Sequence, residues 1–148
     1  PEVVLLIEAL DAYQQALYPP ESNHLLDIAR LTQPDTLFCV ARVAGAPIGC
    51  GAAVLQDDWG EIKRMFVLPE GRGRGLGRQI LAFLEAELAM RGVGWARLET
   101  GIRQPEALAL YARMGYRETD PFGDYTPDPL SVFMEKRLSI VETNEVQA

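Results

Sequence analysis

Cysteine and histidine are scarce in this 148-residue chain, which contains two cysteines, Cys39 and Cys50, and one histidine. The cysteines stand in strand-like segments and form no metal-ligand cluster, so we expect free thiols in a reducing compartment and no bound metal. No apolar run approaches the roughly 20 residues of a membrane span, and no signal peptide is visible. We therefore expect a cytoplasmic protein with no membrane partner.

Positive charge is also limited, with 14 Lys and Arg against 21 Asp and Glu and a formal net charge of −7. Because nucleic-acid binding needs charge that neutralises phosphates, this balance argues against a nucleic-acid partner. It is compatible with a cationic or amine-bearing substrate. The hydrophobic content of 48% is enough for one compact domain. We expect that domain to cover residues 1–138, with residues 139–148 as a flexible tail.

One stretch, from Glu61 to Arg78, carries most of the information in the sequence. Its first seven residues alternate as in a β-strand, which should stop before Pro69 because proline cannot donate to a sheet ladder. Four glycines then occupy alternate positions from 71 to 77, and a helical pattern follows. The alternation predicts two faces for the strand, one with Ile62, Arg64 and Phe66 and the other with Glu61, Lys63, Met65 and Val67.

The glycine-rich segment predicts an anion site. Glycines let the backbone approach a ligand closely and present several N–H groups at a helix start, where phosphates bind well. Arg72, Arg74 and Arg78 add positive charge, so a pyrophosphate is the expected ligand. A P-loop ends in Gly-Lys-Ser/Thr, but Arg78 follows Gly77 here; a dinucleotide fingerprint has glycine where Arg78 stands. The loop therefore belongs to neither class.

The segment Arg72-Gly73-Arg74-Gly75-Leu76-Gly77 reads R-x-x-G-x-G and resembles the acetyl-CoA signature of the GCN5-related N-acetyltransferases (GNAT). As is usual in that family, a strand ending in Val-x-Pro precedes it. Residues 108–116 are similar to the second family signature, L-Y-x-x-x-G-F/Y. Residues 18–24, and residues 121–125 together with 128–134, further resemble a bacterial subgroup whose members are sometimes named indole-acetate acetyltransferases.

The resemblance implies an α/β (α+β) fold of the GNAT type, with a central mixed, mostly antiparallel sheet flanked by helices. The family order is strand, two helices, three antiparallel strands, glycine loop and helix, strand, helix and two strands. The first strand is missing here, so either the sequence is trimmed or the sheet is one strand short. The predicted helices are 1–17, one capped by Ser22 or Asn23, one after the glycine loop and one from Pro105 to Gly115; the predicted strands are 37–43, 48–55, 61–68, 95–100, 116–119 and 130–138.

The resemblance also implies a function, transfer of an acetyl group from the co-substrate acetyl-CoA to a primary amine by direct attack in a ternary complex. The partner would be a small-molecule or peptide amine. The sequence is also compatible with a homodimer. One alternative is a catalytically silent sensor or interaction module that binds CoA. Another is an RNA- or DNA-binding protein that uses the arginine-glycine loop, which the negative charge disfavours.

Cofactor-binding positions follow from the matched motifs. By resemblance, the main chain of Met65, Phe66 and Val67 pairs with the pantetheine arm, and an N–H there faces the thioester carbonyl. Gln104 stands where the family often has an asparagine that contacts the cofactor. The loop residues assigned to the pyrophosphate are Arg72, Gly73, Arg74, Gly75, Leu76, Gly77 and Arg78.

Two residues are candidates for catalysis. Tyr111 matches the family tyrosine that protonates the leaving thiolate, although packing on an amphipathic helix would also explain it. Glu61 stands where some members carry a general base, acting directly or through water, although it could be a surface charge paired with Lys63 or Arg97. The predicted acceptor-binding residues are Tyr18, Glu21, His24 and Tyr125, and the nearby carboxylates Asp124 and Asp128 again suggest a cationic acceptor.

Overall fold

The computed structural model describes residues 2–17 and 33–139. The predicted helix after Ser22 or Asn23 and the tail beyond Ser139 lie outside these residues. Within them the chain forms, in order, α1 (Glu2–Leu17), β1 (Thr36–Val43), β2 (Ala46–Leu55), β3 (Trp59–Val67), a 3₁₀ turn (Pro69–Gly71), α2 (Leu76–Met90), β4 (Trp95–Gly101), α3 (Pro105–Arg113), β5 (Arg117–Thr119) and β6 (Ser131–Arg137).

The strands form one sheet in the order β1-β2-β3-β4-β6-β5. Every neighbouring pair is antiparallel except β3 and β4, which are parallel. The prediction of a mixed, mostly antiparallel sheet flanked by helices is therefore confirmed. None of the described helices is long and apolar enough to cross a membrane.

Local sequence signals explain the element boundaries. α3 begins at Pro105, as predicted, because the fixed φ of proline suits the first helical turn. Gly92 (φ 77°) follows α2 in the left-handed conformation that ends many helices. The β1–β2 turn is tighter than the predicted loop 44–47, since Ala44 and Gly45 alone form it, with φ of 53° and 84°. Two residues with positive φ match the right-handed twist of a hairpin.

The two faces of the sheet carry separate apolar layers. On one face α2 buries Ile80, Leu81, Leu84 and Leu88 against residues of β2, β3 and β4. On the other face α1 buries Leu10 against Cys50 and Phe66, and Ile7 against Ala52. Three of these side chains, Ile80, Leu84 and Leu88, follow the four-residue spacing that indicates a helix in the sequence, and Leu81 joins them in the buried layer.

A β-bulge in β3 makes the predicted strand faces wrong. Phe66 pairs with Cys50 and Lys63 with Ala52, so Arg64 and Met65 together lie opposite one residue, Gly51. Arg64 has a φ of 56°, in the left-handed region. Such an inserted residue shifts the alternation by one position. Consequently Ile62 packs in the layer of α2, together with Met65 and Val67, whereas Phe66 packs in the layer of α1.

The bulge is tied to α1. The Nη1 atom of Arg64 lies 2.7 Å from Oδ1 of Asp11, and only 2% of the Arg64 side chain is exposed. The Sγ atom of Cys50 donates to the carbonyl oxygen of Arg64 at 3.2 Å. A buried guanidinium needs such pairing, because an uncompensated buried charge is strongly destabilising.

We expect Leu84→Ala to lower the free energy of unfolding by about 2–5 kcal/mol, the usual effect of a cavity at a fully buried leucine. Phe83→Ala is the matched control, because the neighbouring Phe83 is 51% exposed whereas Leu84 is 0% exposed. The control should change stability by no more than about 0.5 kcal/mol. Urea unfolding measures both, and equal losses in the two variants would contradict the assigned position of α2.

Candidate active site

The central parallel pair opens at one end. β3 and β4 are paired from Trp59–Trp95 to Ile62–Leu98 and no further, although β3 continues to Val67 and β4 to Gly101. β4 stays paired with β6 as far as Gly101. The last five residues of β3 therefore part from β4, and backbone groups there that point toward β4 are left without a strand partner on that side.

A cavity of about 670 Å³ lies at this opening. It is lined by the end of β3, the glycine segment, the first turn of α2 and one side of α3. The predicted cofactor positions that line it are Met65, Phe66, Val67, Arg72, Gly73, Gly75, Leu76, Gly77, Arg78 and Gln104. Arg74 does not line the cavity, whereas Tyr111 does.

The glycine segment leaves its backbone amides available. Gly73 and Gly75 have φ of 81° and 74°, which suits glycine alone without strain. Gly75 is the N-cap of α2, and no side chain caps the helix there. Since the first N–H groups of a helix have no intrahelical acceptor, they can bind an anion at the cavity mouth.

The arginines of this segment differ in their contacts. The Nε atom of Arg72 donates to the carbonyl oxygen of Val67 at 3.1 Å, and its guanidinium lies 6.0 Å from the ring centroid of Phe66. Arg72 is therefore folded back along β3. Arg78, in the first turn of α2, lines the cavity and is exposed, so its charge adds to that of the helix start.

Tyr111 lies in the cavity wall formed by α3 and is only 6% exposed. Within residues 2–17 and 33–139, its hydroxyl has no hydrogen-bond partner. Burial raises the pKa of the Tyr111 phenol above its ordinary value of 10.0, because the phenolate is costly to desolvate. The phenol consequently stays protonated at neutral pH and can donate to a ligand atom.

Tyr116 supports Tyr111 from behind. The two rings meet edge to face with centroids 5.8 Å apart. The Tyr116 hydroxyl donates to Oε2 of Glu85 at 2.8 Å, and the Lys136 ammonium donates to Oε1 of the same carboxylate at 2.8 Å. These two hydrogen bonds to Glu85 join α2 to Tyr116 and to β6. They hold the Tyr116 ring against one side of the Tyr111 ring.

Glu61 lies on the opposite face of the sheet from α2, does not line the cavity, and is 8% exposed. Its Oε2 atom accepts a hydrogen bond from the Tyr125 hydroxyl at 2.6 Å and lies 3.4 Å from Nζ of Lys63. Lys63 also donates to the Tyr125 hydroxyl at 2.8 Å. Of the alternative, a surface charge paired with Lys63 or Arg97, the pairing with Lys63 is present. The Glu61 carboxylate is buried, however, and Arg97 pairs with Glu135.

Tyr125 is held in an aromatic group. Its ring lies 5.4 Å from that of Phe122 and 5.5 Å from that of Phe133. Burial, followed by the nearby Glu61 carboxylate, raises the pKa of Tyr125, so the hydroxyl remains a donor to Glu61. Of the other acceptor-side predictions, Asp128 accepts from the backbone N–H of Leu130 at 2.8 Å and so shapes its own loop. Tyr18, Glu21 and His24 lie outside the described residues.

The two cysteines offer no nucleophile near the cavity. Both are free thiols. Burial, the largest cause, raises the pKa of Cys50 to about 12, and burial also raises the pKa of Cys39. Thiols with raised pKa values are poor nucleophiles because little thiolate forms at neutral pH.

Sequence reasoning missed several cavity residues, among them Glu106 and Arg113 of α3. Ala107, Leu110 and Met114 share an apolar helical spacing with Tyr111, and all of them line the cavity. Charged residues beside that face carry no such periodic signal. Only the tertiary position of α3 shows that they reach the cavity.

Comparisons with known proteins give a consistent result. A family model described as an acetyltransferase (GNAT) domain matches residues 34–118. The chain is 50% identical over 138 residues to the "IAA acetyltransferase" of Azospirillum brasilense, covering 92% of this chain and 90% of that protein. It is 44% identical to a proposed acyl-CoA N-acyltransferase of Klebsiella pneumoniae, whose crystal structure superposes with a TM-score of 0.82 and coverage of 93% and 90%.

A more distant structure shares the fold alone. The PaiA N-acetyltransferase of Thermoplasma acidophilum was solved in complex with coenzyme A. It is 19% identical to this chain, with a TM-score of 0.66 and coverage of 88% of this chain and 94% of that one.

We expect the buried tyrosines to make stability fall above about pH 10. Tyr111, Tyr116 and Tyr125 each have a folded pKa raised above the ordinary 10.0. Below pH 10 each tyrosine is protonated in both the folded and the unfolded state, so the free energy of unfolding does not change. Above it the unfolded state releases protons first, and each tyrosine lowers the free energy of unfolding by up to about 1.4 kcal/mol per pH unit.

Urea unfolding from pH 8 to 11 measures this loss. Because lysines also titrate there, the informative quantity is the difference between the wild type and Tyr111→Phe. The free energy of unfolding of Tyr111→Phe should fall less steeply with pH than that of the wild type, because the contribution of Tyr111 is missing. Identical slopes for the two proteins would contradict the buried, protonated state of Tyr111.

Proposed function

This chain belongs to the GNAT acetyltransferase family, and from that premise we propose that it transfers an acetyl group from acetyl-CoA to a primary amine by direct attack in a ternary complex. The observation that carries the proposal is the cavity at the β3–β4 opening, bounded by an uncapped glycine-rich helix start and by a buried phenol. A phosphate-bearing thioester fits such a cavity, because the helix start can bind its phosphates and the phenol can donate a proton.

In this proposal the cavity holds acetyl-CoA in two ways. The pyrophosphate binds the amides of the glycine segment together with Arg78, while the pantetheine arm extends the sheet along β3 where β4 is absent. Main-chain groups of Met65, Phe66 and Val67 then face the arm. An N–H directed at the thioester oxygen would stabilise the developing oxyanion, a contribution of about 3 kcal/mol in related chemistry.

Tyr111 is the proposed general acid. The amine nitrogen attacks the carbonyl carbon, the carbon–sulfur bond breaks, and the departing thiolate takes the proton of the Tyr111 hydroxyl. The burial of that hydroxyl and its lack of another partner in the described residues support the assignment. Direct attack is favoured over a covalent acetyl-cysteine because burial raises the pKa of both thiols.

Glu61 is the proposed acceptor of the amine proton, directly or through a water. Lys63 and Tyr125 both contact Oε2, so among the described residues the second oxygen of the carboxylate is left for an amine or a water molecule. Tyr125 would then contribute to the acceptor side by orienting Glu61. The proposed acceptor is a small-molecule or peptide amine.

Gly75→Glu should abolish acetyl-CoA binding. A side chain at position 75 would start in open space at the cavity mouth, with no atom within 4 Å of its β-carbon, and its carboxylate would repel the pyrophosphate. Gly92→Glu is the matched control, since Gly92 also has a positive φ of 77° and open space but lies at the other end of α2. Calorimetry should show that Gly75→Glu no longer binds acetyl-CoA and that Gly92→Glu still does. Unchanged affinity in folded Gly75→Glu would refute the loop assignment.

Tyr111→Phe should lower turnover by about 10²-fold or more, the usual scale of acid–base catalysis. Acetyl-CoA affinity and melting temperature at pH 7 should stay close to the wild type, since the ring is kept and the hydroxyl bonds to no described group. A purely packing role predicts little kinetic effect. The assay follows thiol release from pH 6 to 10, with any amine that the wild type acetylates.

The same assay separates an enzyme from a silent CoA-binding module. A panel of amines, amino acids, polyamines and peptide N-termini should contain at least one acceptor that increases thiol release by the wild type. Acetyl-CoA binding without acceptor-dependent release across the whole panel would favour the sensor or interaction module.

A further inference from the structure

Arg113 differs from the other arginines of the cavity because it lies in the opposite wall. Arg72 and Arg78 belong to the glycine segment and the first turn of α2, whereas Arg113 is the last residue of α3. Its side chain is exposed, and no carboxylate in the described part of the chain forms an ion pair with it. The cavity therefore has a second cationic group besides those of the glycine segment.

Leu110 locates Arg113 relative to the glycine segment. A β-carbon built on Gly77 would lie 3.3 Å from Cδ2 of Leu110, so the last turn of α3 packs against the first turn of α2. Arg113 follows Leu110 by three residues and therefore lies on the same helical face, about one turn further along. Since Arg113 also lines the cavity, its side chain begins about one helical turn from the contact between Leu110 and the start of α2.

The one carboxylate among the described residues that line the cavity does not neutralise Arg113. Glu106 lies in the first turn of α3, seven residues earlier, which is roughly 10 Å along the helix axis. α3 thus presents its negative side chain and its positive side chain at opposite ends. The positive end is the one beside the glycine segment.

Coenzyme A carries two separate anionic groups, a pyrophosphate and a phosphomonoester on the 3′-oxygen of the adjoining ribose. The glycine-segment amides and Arg78 supply donors for the pyrophosphate in the function proposed above. The phosphomonoester is one ribose ring away and needs donors of its own. A guanidinium binds phosphate oxygens in a bidentate fork, which makes arginine well suited to this group.

We propose that Arg113 binds the 3′-phosphate of coenzyme A and thereby makes this protein select CoA over dephospho-CoA. The inference rests on the proposed function, because it requires CoA in the cavity. A plain structural role for Arg113 also exists, since a cation at a helix C-terminus is favourable. That role predicts a change in stability and no change in ligand selectivity, so the two explanations separate in one experiment.

Calorimetric Kd values for CoA and for dephospho-CoA provide the test. We expect the wild type to bind CoA about tenfold more tightly than dephospho-CoA, the scale of a charge-assisted contact open to solvent. Arg113→Gln should remove this preference by weakening CoA binding alone, and Arg113→Lys should restore part of it. Arg78→Gln should weaken both ligands equally, because both retain the pyrophosphate.

Arg117→Gln is the matched control, since Arg117 is an exposed arginine of β5 that does not line the cavity. It should keep the preference of the wild type, and thermal melts establish that each variant is folded. Equal affinity of the wild type for the two ligands, or a preserved preference in Arg113→Gln, would overturn the inference while leaving the proposed function intact. A wild type that binds neither ligand would overturn both.

Discussion

The parallel pairing between β3 and β4 ends at Ile62 and Leu98, although both strands continue. Past this point β3 keeps its antiparallel partner β2, while β4 follows β6. The two halves of the sheet therefore diverge, and the cavity lies where they part. Because the glycine segment follows directly after β3, the chain brings an anion-binding helix start to the mouth of the same opening. The remaining site residues are arranged around this geometry.

The bulge at Arg64 couples this opening to α1. A non-glycine residue with φ of 56° is unfavourable by itself, and the buried pair with Asp11 and the bond from Cys50 hold it in place. The inserted residue directs Met65 and Val67 toward α2 and Phe66 toward α1. α1 thus supports the part of β3 that lines the cavity, while α2 supplies the helix start, so both layers of the core meet at the proposed donor site.

Sequence reasoning succeeded where the signal is local. The spacing of Arg72, Gly75 and Gly77, the helical pattern of α2 and the start of α3 at Pro105 depend on neighbouring residues only, and the fold was expected from the family resemblance that such motifs carry. The faces of β3 were wrong because the bulge depends on the register with β2. The contact of Tyr125 with Glu61 joins residues 64 positions apart, and the reach of Arg113 depends on how α3 packs on α2. Neither leaves a periodic trace in the sequence.

The most direct test of the central claim is amide hydrogen–deuterium exchange with and without acetyl-CoA, since exchange reports on backbone groups that side-chain variants leave in place. The account predicts new protection in two segments, residues 63–67 at the free end of β3 and residues 72–78 of the glycine segment. β1, which lies at the edge of the sheet and is separated from β3 by β2, should not change. Tight binding of acetyl-CoA with no protection in either segment, or with protection confined to other parts of the chain, would contradict the account.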